Sequence, residues 1–278
     1  MLTIQEAAAG LRARKFSSRE LTTDAIALAK KLQPRLNAFI TLTEDAALAA
    51  AAERDAELAA GHDRGVLHGL TVAHKDCFWT KGVRTTDGAK LFSDFVPEED
   101  AAVVERLAEA GMVSLGKLNM HELAYGITSQ NEHFGGVRNP WRTDCIPGGS
   151  SGGSGAAVAT GILFCGTGTD TGGSVRIPAS YCGTAGLKTT FGRVSRHGCF
   201  ALAPSFDTMG PLARTVRCVA ACYEAMAGYD DRDPVSRRKP VEPVVFEGSL
   251  AGLRIGLPEN FFNQRVDPAV WAAVEGMA

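Results

Sequence analysis

Apolar residues recur at helical spacing along the first 60 residues of the chain. Thr3 with Glu6, and Ser17 with Glu20, have the spacing of a capping box, in which a hydroxyl and a carboxylate cap the first turn of a helix. The apolar residues that follow Ser17 share one helical face: Leu21, Ala25, Ile26, Ala29 and Leu32. An alanine-rich stretch from about Glu44 to Ala60 predicts a further helix. The pattern therefore predicts that this part of the chain is helical.

From about residue 66 onward, short apolar runs alternate with amphipathic stretches. The runs that we predict as strands are Leu70–Ala73, Met112–Leu118, Ile162–Cys165, Ala185–Leu187 and Leu253–Leu257. The stretches that we predict as helices are Asp100–Gly111, Ala156–Thr160, Thr215–Ala227 and the segment from Pro268 onward. This alternation predicts an α/β fold, with a mixed twisted β-sheet covered by helices on both faces. We expect residues 1–65 to form a helical segment of the same domain as a core at 66–278, and we predict a surface loop at 229–248.

Composition excludes several classes of function. The net charge of −2, from 29 basic and 31 acidic residues among 278, gives no electrostatic basis for binding nucleic acid or an anionic membrane. The seven cysteines form no CxxC pair and the six histidines no HxxxH pattern, so we expect free thiols and neither a metal nor another cofactor. The first residues do not resemble a signal peptide, and no apolar run is long enough to span a membrane. We therefore expect a cytoplasmic protein.

Two glycine runs that carry serines dominate the stretch from Pro147 to Lys188. The first is Gly148–Ser154, and the second is Gly172–Ser174, which follows Asp170 and Thr171. Successive backbone N–H groups in such turns can converge into an anion-binding nest. A hydroxyl beside a nest combines a nucleophile with donors for an oxyanion, which is the arrangement that acyl transfer requires.

Other glycine-loop chemistries fit the sequence less well. No lysine follows Gly153 as a phosphate loop requires, and the run that begins at Gly166 lacks the third glycine of a dinucleotide fingerprint. Residues 149–153 match the Gly-x-Ser-x-Gly nucleophile elbow, but an elbow follows a buried strand, and residues 142–147 do not have a strand pattern. The elbow nevertheless leaves one alternative open, a triad of Ser151, Asp170 and His197.

A lysine is the other candidate for the base. Lys75 ends an apolar run, where burial would disfavour the ammonium form and lower the pKa of the amine. A neutral lysine can accept a proton from a serine hydroxyl. The alternative is that Lys75 forms an ion pair with Asp76 or another carboxylate.

Taken together, these motifs resemble those of the amidase signature family, whose members are amidohydrolases with a lysine and two serines. The matching stretches are Gly69–Asp76, Asn119–Gly126, Arg138–Trp141, Gly148–Ser154, Gly168–Arg176 and Pro178–Lys188. Thr71 and Thr189 depart from the family pattern, which usually has proline at the first position and usually continues Leu-Lys-Pro-Thr around the second. The resemblance extends over nearly the whole chain.

The resemblance implies specific roles for residues of these stretches. Ser174 would attack the amide carbonyl, and Ser150, on a cis peptide bond, would relay the proton between Ser174 and Lys75. The backbone N–H groups that would bind the oxyanion are those of Thr171, Gly172, Gly173 and Ser174. The residues that would support the loops and the lysine are Ser151, Asp170 and Arg176.

By the same resemblance, the protein hydrolyses a carboxylic amide to an acid and ammonia or an amine. One alternative is the glutaminase-type A subunit of an amidotransferase that acts on Asp-tRNA(Asn) or Glu-tRNA(Gln) together with partner subunits. Another is a catalytically weak fragment, because family members are longer and the chain stops inside an apolar helix, which leads us to expect C-terminal truncation. Self-association is the remaining partner interaction that we consider, and we expect no direct contact with membrane or nucleic acid.

Overall fold

A computed structural model describes residues 1–249, 251–257, 260 and 264–277. The chain divides into two compact units, Met1–Pro243 and Val244–Ala278. The first unit contains the predicted helical segment as well as the sheet. The second contains one helix among its described residues, and the strand predicted at Leu253–Leu257 is wrong, because these residues adopt no regular structure.

The helices of the first unit mostly begin where the sequence predicts. Their bounds are Ile4–Arg12 (α1), Ser18–Leu36 (α2), Glu44–Ala59 (α3), Ala102–Glu109 (α4), Gly152–Ala159 (α5), Arg176–Cys182 (α6) and Val216–Met226 (α7). The helix of the second unit is Pro268–Met277 (α8). Both predicted capping boxes form, since Thr3 and Ser17 accept from the backbone N–H groups of Glu6 and Glu20 while those carboxylates reach back. The sequence pattern did not indicate α6.

Six strands form one mixed sheet, which confirms the predicted α/β class. The strands are Phe39–Leu42 (β1), Thr71–Lys75 (β2), Val113–Leu118 (β3), Cys165–Asp170 (β4), Ala185–Gly186 (β5) and Thr208–Ala213 (β6). Their order across the sheet is β1-β3-β2-β4-β6-β5. The central pairs β3–β2 and β2–β4 are parallel, and the outer pairs are antiparallel.

Three strands of the sheet differ from the sequence analysis. Residues 39–42 form β1 inside the segment that we predicted as helical, and β1 pairs with β3. The strand predicted at Ile162–Cys165 starts only at Cys165 and continues through Gly-Thr-Gly-Thr to Asp170. The strand β6, Thr-Met-Gly-Pro-Leu-Ala, was not predicted. Both β4 and β6 are fully buried despite their glycines, because each is sandwiched between neighbouring strands.

The sheet separates two hydrophobic cores. Val72 and Ala73 are neighbours on β2 but belong to different core clusters, as expected when successive side chains point to opposite faces. One cluster includes residues of α1, α4 and α7, and the other includes residues of α2, α3, α5 and α6. Helices therefore cover both faces. The carboxyl ends of the parallel strands β2 and β4 carry Lys75 and Asp170, and they bring the lysine and the glycine loop to one edge.

Candidate active site

Lys75 is the last residue of β2, and its side chain is completely buried. Its Nζ lies 2.7 Å from Ser150 Oγ and 2.6 Å from Thr169 Oγ1. Burial lowers the pKa of Lys75, although nearby thiols and carboxyls oppose the shift. The alternative of an ion pair with Asp76 is wrong, because Asp76 Oδ1 instead faces Lys117 Nζ at 3.8 Å. The structure thus gives a buried amine whose two partners are hydroxyl groups.

Ser150 is fixed by the loop between β3 and α5. The Gly149–Ser150 peptide bond is cis, as the family resemblance implied. The carbonyl of Ser150 accepts from the backbone N–H of His121 at 3.1 Å and from Ser129 Oγ at 3.2 Å. A side chain at Gly149 would come within 2.8 Å of the backbone of Ile127, so only glycine permits this close approach. The hydroxyl of Ser150 is therefore held in contact with Lys75 by its backbone.

The carboxylate of Asp170 organises the turn that carries Ser174. Asp170 is fully buried, and its oxygens accept from the backbone N–H groups of Gly173, Val175 and Arg176 at 2.7, 3.2 and 3.3 Å. Arg176 adds two further bonds from Nε and Nη2, at 2.9 and 3.0 Å. Burial alone would raise the pKa of Asp170, but the hydrogen bonds and charge of Arg176 and the backbone donors lower it overall. Asp170 and Arg176 are thus hydrogen-bonded to each other, and Asp170 is bonded to the backbone of the turn that carries Ser174.

The predicted set of oxyanion donors needs one correction. The N–H of Gly173 donates to Asp170 Oδ1 and is therefore not free to bind a ligand. Among the described residues, no hydrogen bond uses the N–H of Thr171, Gly172 or Ser174. The space around Gly172 is open, since a Cβ placed there would meet no atom within 4 Å. Three free donors therefore remain at the turn, beside a Ser174 that is 8% exposed.

Ser151 connects the two serine loops. Its N–H donates to the carbonyl of Ser174 at 3.2 Å, and its hydroxyl donates to the carbonyl of Thr169 at 3.5 Å. These contacts hold Ser174 against the first glycine run. In the part of the chain that the structure describes, the hydroxyl of Ser151 has no hydrogen bond to a lysine or histidine.

The alternative triad of Ser151, Asp170 and His197 does not form. Asp170 is occupied by Arg176 and backbone donors, while His197 Nε2 lies 3.6 Å from Glu99. Residues 142–147 contain no strand, so the sheet geometry of a nucleophile elbow is also missing. Sequence matching alone could not separate this arrangement from the one built on Lys75.

A second group of buried charges lies next to Lys75, and sequence reasoning missed it. Lys117, near the end of β3, is fully buried and donates to the carbonyl of Phe78, to Thr80 Oγ1 at 3.1 Å and to Thr85 Oγ1 at 2.8 Å. Burial lowers the pKa of Lys117 to about 8, and Asp76 opposes this shift. The signal was present, because Lys117, like Lys75, is a charged residue in an apolar run.

Several other features complete the description. All seven cysteines are free thiols. Among the described residues, no group of three or more His, Cys, Asp or Glu side chains could hold a metal ion. Within the same residues, no helix is long and apolar enough to cross a membrane. A cavity of about 670 Å³ lies between α1, α2 and α3, but it is not lined by Lys75, Ser150, Ser151 or Ser174.

Comparison with known proteins identifies the family of this chain. The family model described as amidase matches residues 20–278, which is most of the sequence. The chain belongs to the amidase family. This assignment agrees with the motifs around Lys75, Ser150 and Ser174, and with the cis bond that the structure contains.

Named relatives and solved structures are similar to this amidase-family chain. The A subunit of the glutamyl-tRNA(Gln) amidotransferase of Azotobacter vinelandii is 51% identical over 99% of this chain and 58% of its own length. A structure from a vestigial protein complex, described as revealing the evolutionary origins of an s-triazine catabolic enzyme, has a TM-score of 0.96 at 41% identity, over 99% of this chain and 61% of its own. The peptide amidase of Stenotrophomonas maltophilia has a TM-score of 0.82 at 40% identity, over 86% and 50%. The chain thus spans little more than half the length of the curated relatives that it matches.

Proposed function

We propose that this protein hydrolyses a carboxylic amide to a carboxylic acid and ammonia or an amine, with Ser174 as the nucleophile. The observation that carries the proposal is the contact of 2.7 Å between the fully buried Lys75 Nζ and Ser150 Oγ. Among the described residues, no carboxylate forms a hydrogen bond with Lys75 Nζ. A buried amine with hydroxyl partners alone favours its neutral form, which is the form that a general base requires.

Acylation proceeds by a relay of two protons. Ser174 Oγ forms a bond to the carbonyl carbon as its proton passes to Ser150 Oγ, and the proton of Ser150 passes to Lys75 Nζ. The free N–H groups of Thr171, Gly172 and Ser174 stabilise the negative charge that develops on the carbonyl oxygen.

Breakdown of the tetrahedral intermediate reverses the proton path. Lys75 returns a proton through Ser150 to the leaving nitrogen as the C–N bond breaks, and ammonia or an amine departs. Water then attacks the ester on Ser174, and the same relay removes its proton. The bond between the acyl carbon and Ser174 Oγ then breaks, and Lys75 returns the proton through Ser150 to Ser174 Oγ. The acid is released, and both serines and the lysine are back in their starting states.

A glutaminase-type A subunit is a second candidate function. The 51% identity to an amidotransferase component of Azotobacter vinelandii favours it. In that case the substrate is glutamine, and the ammonia passes to a reaction on charged tRNA that partner subunits perform. The amide chemistry at Ser174 is the same in both candidates. We also infer a cytoplasmic location from the seven free thiols, which persist in reducing compartments.

Ammonia release from a panel of simple amides, peptide amides and glutamine tests the proposal. We expect turnover with wild-type protein and a loss of about 10³-fold or more in Ser174→Ala, because the nucleophile is removed. Ser154→Ala is the matched control, since Ser154 is a buried serine of the other glycine run and donates to the carbonyl of Thr167 at 2.8 Å. Release from glutamine alone would favour the amidotransferase function.

Covalent labelling identifies the nucleophile directly. A fluorophosphonate probe should form an adduct on Ser174, and peptide mass mapping should find it there. An adduct on Ser151, or full amide turnover in Ser174→Ala, would show that the proposed assignment is wrong.

A further inference from the structure

Asp87 is a buried residue next to the candidate active site. The proposed mechanism assigns no role to its carboxyl group. Its side chain is 5% exposed, and its Oδ1 is buried without a hydrogen-bond partner among the described residues. Buried carboxylates are normally paired with a cation or with several donors. The position of Asp87 therefore needs a physical explanation.

The backbone holds Asp87 close to Lys75. The N–H of Asp87 donates to the carbonyl of Asp76, the residue that follows Lys75, at 3.1 Å. On the other side, the carbonyl of Asp87 accepts from the N–H of Leu123 at 2.8 Å. Asp87 also has a left-handed backbone with φ of 51°, which aspartate tolerates better than most residues. The chain thus fixes this carboxyl between the end of β2 and the loop whose His121 N–H binds the carbonyl of Ser150.

The other carboxylates near Lys75 each face a different cationic side chain. Asp76 faces Lys117 at 3.8 Å, and Asp170 is bound by Arg176 at 2.9 Å. Among the described residues, Asp87 forms no such ion pair. The charged groups that act on it are Lys75, Asp76 and Lys117, and the attraction to Lys75 is the largest of these.

The thiols near Lys75 do not replace this carboxyl. Burial raises the pKa of Cys199 well above its ordinary value, so this thiol stays neutral at physiological pH. For Asp87 itself, burial raises the pKa to about 7, and Lys75 opposes the shift. Asp87 can therefore carry a negative charge near neutral pH, most readily when Lys75 is protonated.

We propose that Asp87 is a positioning residue that acts through Lys75, as the counter-charge that stabilises the Lys75 ammonium formed during amide hydrolysis. This inference rests on the proposed function of Ser174 and Lys75. When Lys75 has taken the proton of Ser150, an ammonium ion exists in a fully buried site. A nearby carboxylate lowers the free energy of that state and raises the basicity of Lys75.

The sign of the effect on the pH profile follows from this role. An ionised Asp87 favours the protonated form of Lys75, so removing the charge makes the lysine lose its proton at lower pH. In Asp87→Asn, the ascending limb of kcat/KM should move to lower pH by on the order of one unit. The maximal rate should fall severalfold, because a weaker base accepts the proton less well. A structural defect alone would lower the rate without moving the limb in this direction.

The experiment compares Asp87→Asn with Asp230→Asn. Asparagine has the shape of aspartate and removes an unpaired buried charge, so the variant is expected to fold. Asp230 is also buried, but it is bound by Ser195 Oγ at 2.8 Å and by Arg232, away from Lys75. We expect the pH limb to keep its wild-type position in Asp230→Asn. The rate of Ser174 labelling by a fluorophosphonate gives the same pH profile without an amide substrate.

A double-mutant cycle with Lys75→Met tests the coupling without any need for turnover. The shift in urea midpoint caused by Asp87→Asn at pH 7 should differ between the wild-type and Lys75→Met backgrounds. The role of Asp87 would be overturned if the ascending limb of the pH profile of kcat/KM did not move in Asp87→Asn. It would also be overturned if Asp87→Asn shifted the urea midpoint equally in the wild-type and Lys75→Met backgrounds. If Ser174→Ala retains turnover and labelling, the proposed function itself fails, and this outcome is distinct from the other two.

Discussion

The Asp170→Asn variant is expected to lose about 3–4 kcal/mol of folding free energy, because the native carboxylate accepts five hydrogen bonds. The asparagine side chain keeps one acceptor oxygen but turns an NH₂ group toward N–H donors. At least two bonds to a charged acceptor are then lost, and bonds of this kind contribute about 1.5–3 kcal/mol each. Two of the backbone hydrogen bonds are long, at 3.2 and 3.3 Å. We therefore use the lower half of the energy range for each lost bond, which is about 1.5–2 kcal/mol.

The Arg176→Met variant provides the comparison. The side chain of Arg176 is 53% exposed while that of Asp170 is fully buried, so solvent screens the guanidinium. Three backbone donors still hold the carboxylate when the arginine is removed. We therefore expect Arg176→Met to cost only about 1 kcal/mol. In both variants kcat/KM should fall, and in Asp170→Asn by about 100-fold, because the turn that carries Ser174 moves.

The pH dependence of stability gives the decisive assay. The pKa of Asp170 is lowered in the folded state, so its stabilisation is present above the unfolded pKa of about 3.9 and is lost as the pH falls through the folded pKa. Urea denaturation followed by circular dichroism should show a constant difference between wild type and Asp170→Asn at pH 5–7. Below about pH 4 the difference should shrink. An undiminished difference at pH 3, or equal costs for Asp170→Asn and Arg176→Met, would refute this account of the turn.

Further variants test the two lysines and the hydroxyl of Thr169. Lys75→Met should lower amide turnover by about 10²–10⁴-fold, because the proposed general base is removed. Its folding stability should not fall, because an apolar side chain replaces a buried amine. Turnover and urea denaturation measured in parallel check both expectations. Thr169→Val should lower kcat severalfold with little change in KM, because it removes the contact of 2.6 Å that orients Lys75 Nζ. Lys117→Met should cost about 3–5 kcal/mol in urea denaturation, because Asp76 is left buried and unpaired.

Local signals in the sequence predicted the helices better than the strands. A capping box involves residues only three positions apart, so the boxes at Thr3 and Ser17 determine where α1 and α2 begin. The alanine-rich run of α3 is a local signal of the same kind. The strands β4 and β6 contain glycine, proline and short polar residues, which are poor strand formers by themselves. They are extended because each pairs with two neighbours in the buried sheet, and no short window of sequence contains that information.

The candidate site shows the same limit. The burial of Lys75 was predicted correctly, because a side chain at the end of an apolar strand has few positions outside the protein interior. The use of the Gly173 N–H by Asp170 could not be foreseen, since adjacent glycine N–H groups look equivalent in sequence. Asp87 also escaped notice, because its burial depends on loops that pack against the end of β2, whereas the burial of Lys117 could have been inferred from the apolar run that contains it.

The contrast between the two buried lysines explains how one fold can separate the proposed base, Lys75, from a structural cation, Lys117. Both lie near the carboxyl ends of adjacent parallel strands, where His74 is in register with Lys117 and Lys75 with Leu118. Burial lowers the pKa of both amines, so burial alone cannot distinguish them. Lys117 has a carbonyl and two threonine hydroxyls as acceptors and Asp76 nearby, and with a pKa of about 8 it keeps its proton at neutral pH. Lys75 instead contacts two hydroxyl groups, which can donate to a neutral amine as well as accept from an ammonium. The choice of partners, rather than the depth of burial, therefore leaves Lys75 able to exchange a proton with Ser150.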